Sequence, residues 1–103
     1  MKELIESAEK LVNEELERAN IKFPMFNSPH EGYAVIKEEI EEASNEIRET
    51  NCFLTDLWYG IKRNESDLKE YSQQIKNRAT LLACEAIQVA AMAQKFIDSS
   101  KEG

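Results

Sequence analysis

The stretch SPHEGYAVIKEEIEEASNEIRETNCFLTDLWYGI, residues 28–61, decides the fold class. It opens on a strong helix start. Ser28 is placed to cap, Pro29 suits the first helical position, and Glu31 stands where it completes a capping box. From there Ile36, Ile40, Ala43, Ile47, Leu54, Leu57 and Ile61 follow alternating steps of four and three, with Thr50 in the one gap. That spacing predicts a single packing helix, roughly 50 Å long at about 1.5 Å per residue. Thr50 and Asn51, both weak helix formers, mark the place where it would bend.

On the N-terminal side, Leu4, Ile5, Ala8, Leu11, Val12, Leu16 and Ala19 recur at helical spacing and predict a first helix over residues 2–19. Asn20 to Asn27 breaks it, with Pro24 disfavouring helix at Phe23. This linker is apolar for a loop, so Phe23, Met25 and Phe26 are expected to pack onto the helices. On the other side the next turn falls between Gly60 and Asp67, with Asn64, Ser66 and Asp67 as candidate caps. Leu68, Tyr71, Ile75, Ala79, Leu82, Ala86, Val89, Ala93 and Phe96 then predict a third helix ending near Asp98. Two long helices joined by a short turn form an antiparallel hairpin. The expected fold is therefore all-α: one domain over residues 1–103, an antiparallel helical hairpin plus a short N-terminal helix. One hairpin and one short helix leave apolar stripes uncovered. A homodimer or homotetramer that completes a four-helix-type bundle is the expected remedy.

Composition agrees with this reading and excludes several functions. Two prolines and three glycines in 103 residues leave too few turns for an all-β chain. A net charge of −7 argues against a nucleic-acid polymer or an anionic membrane as partner, since both need basic surface. The acidity is local: eight acids face two bases from Glu31 to Asp56, whereas seven bases face six acids from Leu57 onward. Cys52 and Cys84 stand far apart, with no pattern of a zinc site or a disulfide framework. With no apolar leader behind Met1 and no uninterrupted apolar run of about 18 residues, a cytoplasmic protein without a membrane span is expected.

The carboxylates carry the chemistry. Seven glutamates lie between Glu31 and Thr50. Helical phase puts Glu39, Glu42 and Glu46 within an arc of roughly 60° beside the packing stripe, with Glu38 on the same flank. A solvated acidic face is one reading. Like-charge pairs at four-residue spacing, Glu38 with Glu42 and Glu42 with Glu46, each cost about 0.2–0.5 kcal/mol, and a cation among them removes that cost. Oxygen ligands of this kind suit Mg²⁺. On the third helix Glu85 stands within the apolar run Leu81–Ala93, about 60° from its stripe, with Gln88 one turn further on. A carboxylate there needs a basic partner or a metal, or else it takes up a proton.

Glu38-Glu39-Ile40-Glu41-Glu42 resembles the EExxE motif of the MazG-like all-α nucleoside triphosphate pyrophosphohydrolases, and Glu85-Ala86-Ile87-Gln88 takes the place of that family's ExxD motif. The stretch from Asn27 to Glu42 also looks like small phage-encoded members. Together the likeness covers about two-thirds of the chain. The resemblance implies Mg²⁺, or Mn²⁺, held by Glu39, Glu42, Glu85 and Gln88, with Glu38 as a further ligand or water-orienting base and Glu38 and Glu39 as the catalytic pair. It implies that an NTP or dNTP is cleaved to the monophosphate and pyrophosphate. Gln88 stands where the family has Asp: a carboxamide oxygen can ligate Mg²⁺ but neither neutralises charge nor accepts a proton. Arg78, Lys95 and Lys62 are candidate phosphate contacts, and Trp58 is a candidate surface for the base. The alternative function is a catalytically inactive helical oligomerisation or adaptor protein of phage origin.

Overall fold

The computed structural model describes residues 1–102, with side chains to Ser100. Three helices account for it: α1 (Lys2–Lys22), α2 (Pro29–Lys62) and α3 (Lys69–Glu102). The α1 helix runs one turn further than periodicity predicts, through Asn20, and ends where the Phe23 backbone turns extended ahead of Pro24. Ser28 caps α2 by accepting a hydrogen bond from Glu31 N at 3.1 Å. The capping box closes one residue early: Glu31 accepts from Asn27 N at 3.3 Å and Asn27 Nδ2 at 3.1 Å. The α2 helix continues unbroken through Thr50 and Asn51, where Thr50 Oγ1 donates back to the Glu46 carbonyl at 2.8 Å. Asn64, at φ 56°, takes the left-handed conformation that ends α2, and Asp67 caps α3 by accepting from Lys69 N at 3.0 Å.

The α2 and α3 helices form the antiparallel hairpin, and α1 lies along α3 without packing against α2. Each end of the hairpin is closed by an aromatic ring on a glycine. Phe96 lies over Gly32, and Tyr71 over Gly60, where a Cβ on the glycine would stand 2.9 Å from Tyr71 Cε2. Gly32 and Gly60 are the buried residues of α2. Around Gly32 the α1–α2 loop packs against the end of α3: the Phe26 and Phe96 ring centroids are 6.4 Å apart, and Phe26 N donates to Ser99 Oγ at 3.0 Å. Ala91 and Met92 are buried nearby on α3. Of the apolar linker, only Phe26 packs as expected. Phe23 is 63% exposed and Met25 39% exposed.

The phase of the hairpin differs from the one the isoleucines predict. The α2 residues withdrawn from solvent are Val35 and an unbroken four–three alternation of Gly32, Ile36, Glu39, Ala43, Glu46, Thr50, Phe53, Leu57 and Gly60. From Leu68, just ahead of α3, the same rhythm runs through Tyr71, Ile75, Arg78, Leu82, Glu85, Val89, Met92, Phe96 and Ser99. Ile40, Ile47, Leu54 and Ile61 stay between 45% and 55% exposed. The helices have rolled so that the flank carrying the carboxylates meets the partner helix. Two rhythms share Ile36, Ala43, Thr50 and Leu57. The closed one ends on two glycines, which allow the backbones to approach. By length and composition α3 is also long and apolar enough to cross a membrane over Lys69–Ser100, although no run in it is uninterrupted.

Candidate metal centre

The roll of α2 brings Glu39 and Glu42 onto Glu85 of α3. One carboxylate oxygen from each lies within 4.8 Å of the others. Glu39 and Glu85 are half-buried in the seam, whereas Glu42 reaches in from the exposed edge. Burial first, and then the Glu42 and Glu85 charges, push the Glu39 carboxyl above its ordinary range. Burial, followed by a hydrogen bond with Glu42, does the same to Glu85. Like charges in one desolvated place favour the protonated form of both groups. Glu85 Oε2 is buried and has no hydrogen-bond partner, which leaves an acceptor lone pair directed at nothing. Three carboxylates, with the unpartnered oxygen on one of them, are hard oxygen donors of the kind that Mg²⁺ or Mn²⁺ takes, so the residues fit such an ion.

The neighbours of this trio differ from the expected ones. Glu46, one turn along α2, is paired with Arg78 of α3: Nη1 to Oε2 is 3.4 Å, with both side chains part-buried. Glu38 is exposed, outside the trio. Gln88 turns towards α1, where its Nε2 donates to Glu15 Oε1 at 2.8 Å. Glu15 also accepts from Arg18 Nη2 at 2.6 Å, and the two donors hold its carboxyl below the usual range. Glu15 is the residue that sequence reasoning missed. Its signal was present: it falls between Val12 and Ala19 on the apolar stripe of α1, a place a solvated glutamate avoids.

The candidate substrate contacts are scattered. Arg78 borders the trio but is engaged by Glu46. Lys95 is 5% exposed, donates to the Phe23 carbonyl and lies 4.9 Å from the Phe26 ring centroid, so it closes the α1–α2 loop instead of facing the carboxylates. Lys62 sits at the far tip of the hairpin, 5.4 Å from the centroid of Trp58 and 4.7 Å from that of Tyr59. Lys62 is roughly 30 Å along α2 from Glu42, at about 1.5 Å per residue. No family model matches the chain, and neither a curated protein nor a solved structure matches it.

Proposed function

We propose that the protein is a Mg²⁺-dependent nucleoside triphosphate pyrophosphohydrolase of the MazG-like kind, which splits an NTP or dNTP into the monophosphate and pyrophosphate. One observation carries the reading: Glu39, Glu42 and Glu85 converge from two helices while Glu85 Oε2 has no partner of its own. In this role Glu39, Glu42 and Glu85 hold the cation. A divalent ion bound there supplies charge neutralisation for a polyphosphate and polarises the phosphoryl oxygen. Glu38, exposed beside the trio, is free to orient and deprotonate the water that attacks the phosphorus. The bond broken is the one to the pyrophosphate leaving group, and the proton passes from the water to a carboxylate. Arg78, paired with Glu46 one turn along α2 from Glu42, would be a cation for the transferred charge once released.

Self-association belongs to the same reading, because Ile40, Ile47, Leu54 and Ile61 remain uncovered in one chain. It would place the protein as a cytoplasmic dimer or tetramer. A second reading, a helical adaptor that keeps the fold without the chemistry, is favoured by Gln88. That side chain is spent on Glu15 instead of being offered to the trio.

The test is pyrophosphate release from a panel of NTPs and dNTPs with Mg²⁺ or Mn²⁺. Release that disappears in Glu39→Gln is expected. Release no greater than in that variant, for every nucleotide, removes the enzyme and leaves the adaptor.

A further inference from the structure

Five large apolar side chains on α2 stand at strict seven-residue intervals: Tyr33, Ile40, Ile47, Leu54 and Ile61. All five are exposed, Tyr33 by 65% and the others by 45–55%. A seven-residue repeat slants by about 20° per interval around a straight helix, and a second helix covers it by winding with a left-handed supercoil. The neighbouring stripe, which includes Glu39, Glu46 and Phe53, is already occupied by α3. Beside the exposed row lies an open groove of about 350 Å³, where Ile40, Ala43 and Ile47 of α2 face Leu82, Ala86 and Val89 of α3. The α1 helix does not cover it. Its polar tie to α3 is made through Gln88, about 120° around α3 from Leu82 at about 100° per residue.

We infer that this row is the docking surface for a second copy of the chain, with the two α2 helices antiparallel about a two-fold axis at Ile47. The inference rests on the self-association part of the reading above and is independent of the catalytic part. The apolar self-match and the extent of the row select a second copy as the occupant, and the end charges select its direction. The row is centred on Ile47, so an antiparallel copy sets Ile40 against Leu54 of the second chain and Tyr33 against its Ile61, apolar against apolar throughout. The ends of α2 carry opposite charge, Glu31 in the first turn and Lys62 in the last. Antiparallel docking brings Lys62 of one chain beside Glu31 of the other, whereas parallel docking stacks each on itself and aligns the helix dipoles. The extent is also adequate. From Tyr33 to Ile61 the row runs roughly 42 Å, and a strip about 15 Å wide gives on the order of 600 Å² per copy. Stable interfaces cover roughly 800 Å² per partner, and Leu82, Ala86 and Val89 of the adjoining groove add to the strip.

The experiment uses the full chain with Cys52 and Cys84 replaced by Ser. Its mass is measured by light scattering at tens of micromolar, and Ile40→Cys and Leu54→Cys are oxidised singly and as a mixture. The expected result is twice the chain mass, with cross-linking between Ile40→Cys and Leu54→Cys chains and none within either variant alone. Ile47→Glu, which alters a residue exposed in the single chain, should keep its helical circular dichroism. It should weaken association roughly 100-fold or more by burying a charge. Ile21→Glu, 84% exposed and away from the row, should keep the parent mass. A dimer unmoved by Ile47→Glu overturns this interface but leaves self-association standing. A single-chain mass throughout overturns both. Cross-linking of Ile40→Cys to itself overturns the antiparallel arrangement.

Discussion

Gln88 of α3 donates a hydrogen bond to Glu15 of α1 at 2.8 Å across 73 residues of sequence. The contact does more than attach α1. It brings a fourth carboxylate towards Glu39, whose raised protonation reflects the Glu15 charge as the last of its causes. It also turns the one amide near the trio away from it. The α1 helix therefore adds a small charge effect to a site whose electrostatics are set by burial and by the carboxylates of α2 and α3.

Replacing Gln88 by Asp removes a donor to a charged acceptor and sets two carboxylates against each other. Without divalent cations the variant should lose on the order of 1–3 kcal/mol of stability, the cost of breaking such a bond and leaving its acceptor unpaired. With Mg²⁺ in excess the added carboxylate becomes an asset, and the variant should regain more of its melting temperature than the parent does. Thermal denaturation with chelator and with Mg²⁺ measures both. Equal recovery in the two proteins would separate Gln88 from the metal.

The raised carboxyls of Glu39 and Glu85 fix the sign of a pH dependence. Their protonated forms are favoured in the fold relative to the unfolded chain. The stability they contribute is fully present below the ordinary carboxylate range, and it is lost as pH rises through their raised values. Chelated protein should lose stability on this account as pH rises above the ordinary carboxylate range, and Glu85→Gln should lose less over the same rise. Titrating the melting temperature of the pair against pH isolates the difference. A parallel pair of curves would contradict it. Added Mg²⁺ at neutral pH should raise the parent melting temperature in proportion to the logarithm of its concentration.

Helix number, both ends of α2 and the hairpin were legible because Ser28, Pro29, Asn64 and Asp67 act locally and the apolar rhythm is long, whereas α1 and α3 run three to four residues past their expected ends. The roll of α2 was not. Ile36, Ala43, Thr50 and Leu57 belong to two rhythms at once, one completed by Glu39, Glu46, Phe53 and Gly60, the other by Ile40, Ile47, Leu54 and Ile61. Transfer free energy favours the isoleucines for the core, so hydrophobicity alone selects the wrong rhythm for the contact with α3. The glycines were the overlooked signal, since Gly32 and Gly60 open the closed rhythm and end it. Glu39, Glu42 and Glu85 still come together because the roll moves Glu39 into the seam against Glu85, with Glu42 at its exposed edge. Gln88, Lys95 and Lys62 did not join it. Their surroundings depend on the register of α1 and the path of residues 23–28, which no local pattern encodes.

Arg78 is the one cation set into the seam beside the carboxylates. Substituting Met keeps the aliphatic stem and leaves Glu46, with a side chain only 20% exposed, facing Glu42 and Glu85 without its partner. The pair is partly solvated, so the loss is modest, about 1 kcal/mol. Denaturant unfolding of the two proteins checks this. An unchanged midpoint would mean that the pair contributes nothing to stability.

Gly32→Ala tests whether close approach at the end of the hairpin sets the roll. Alanine is the better helix former by about 1 kcal/mol, so on propensity the substitution should stabilise α2. The added Cβ, however, falls within the Phe96 ring and 3.0 Å from Phe26 Cδ2. Phe96 has little room to withdraw, because Phe26 is stacked at a tilt against it and the loop backbone is tied to Ser99. Overpacking of this kind costs typically about 1–3 kcal/mol, more than the propensity gain. The expected outcome is net destabilisation, relieved when Phe96→Leu is added to Gly32→Ala. Because the ring and the glycine close the same seam that carries Glu39, the single variant should also bind Mg²⁺ more weakly by calorimetry. A Gly32→Ala protein that is more stable than the parent would mean that the ring yields freely, and that something other than backbone approach turns Glu39 towards Glu85.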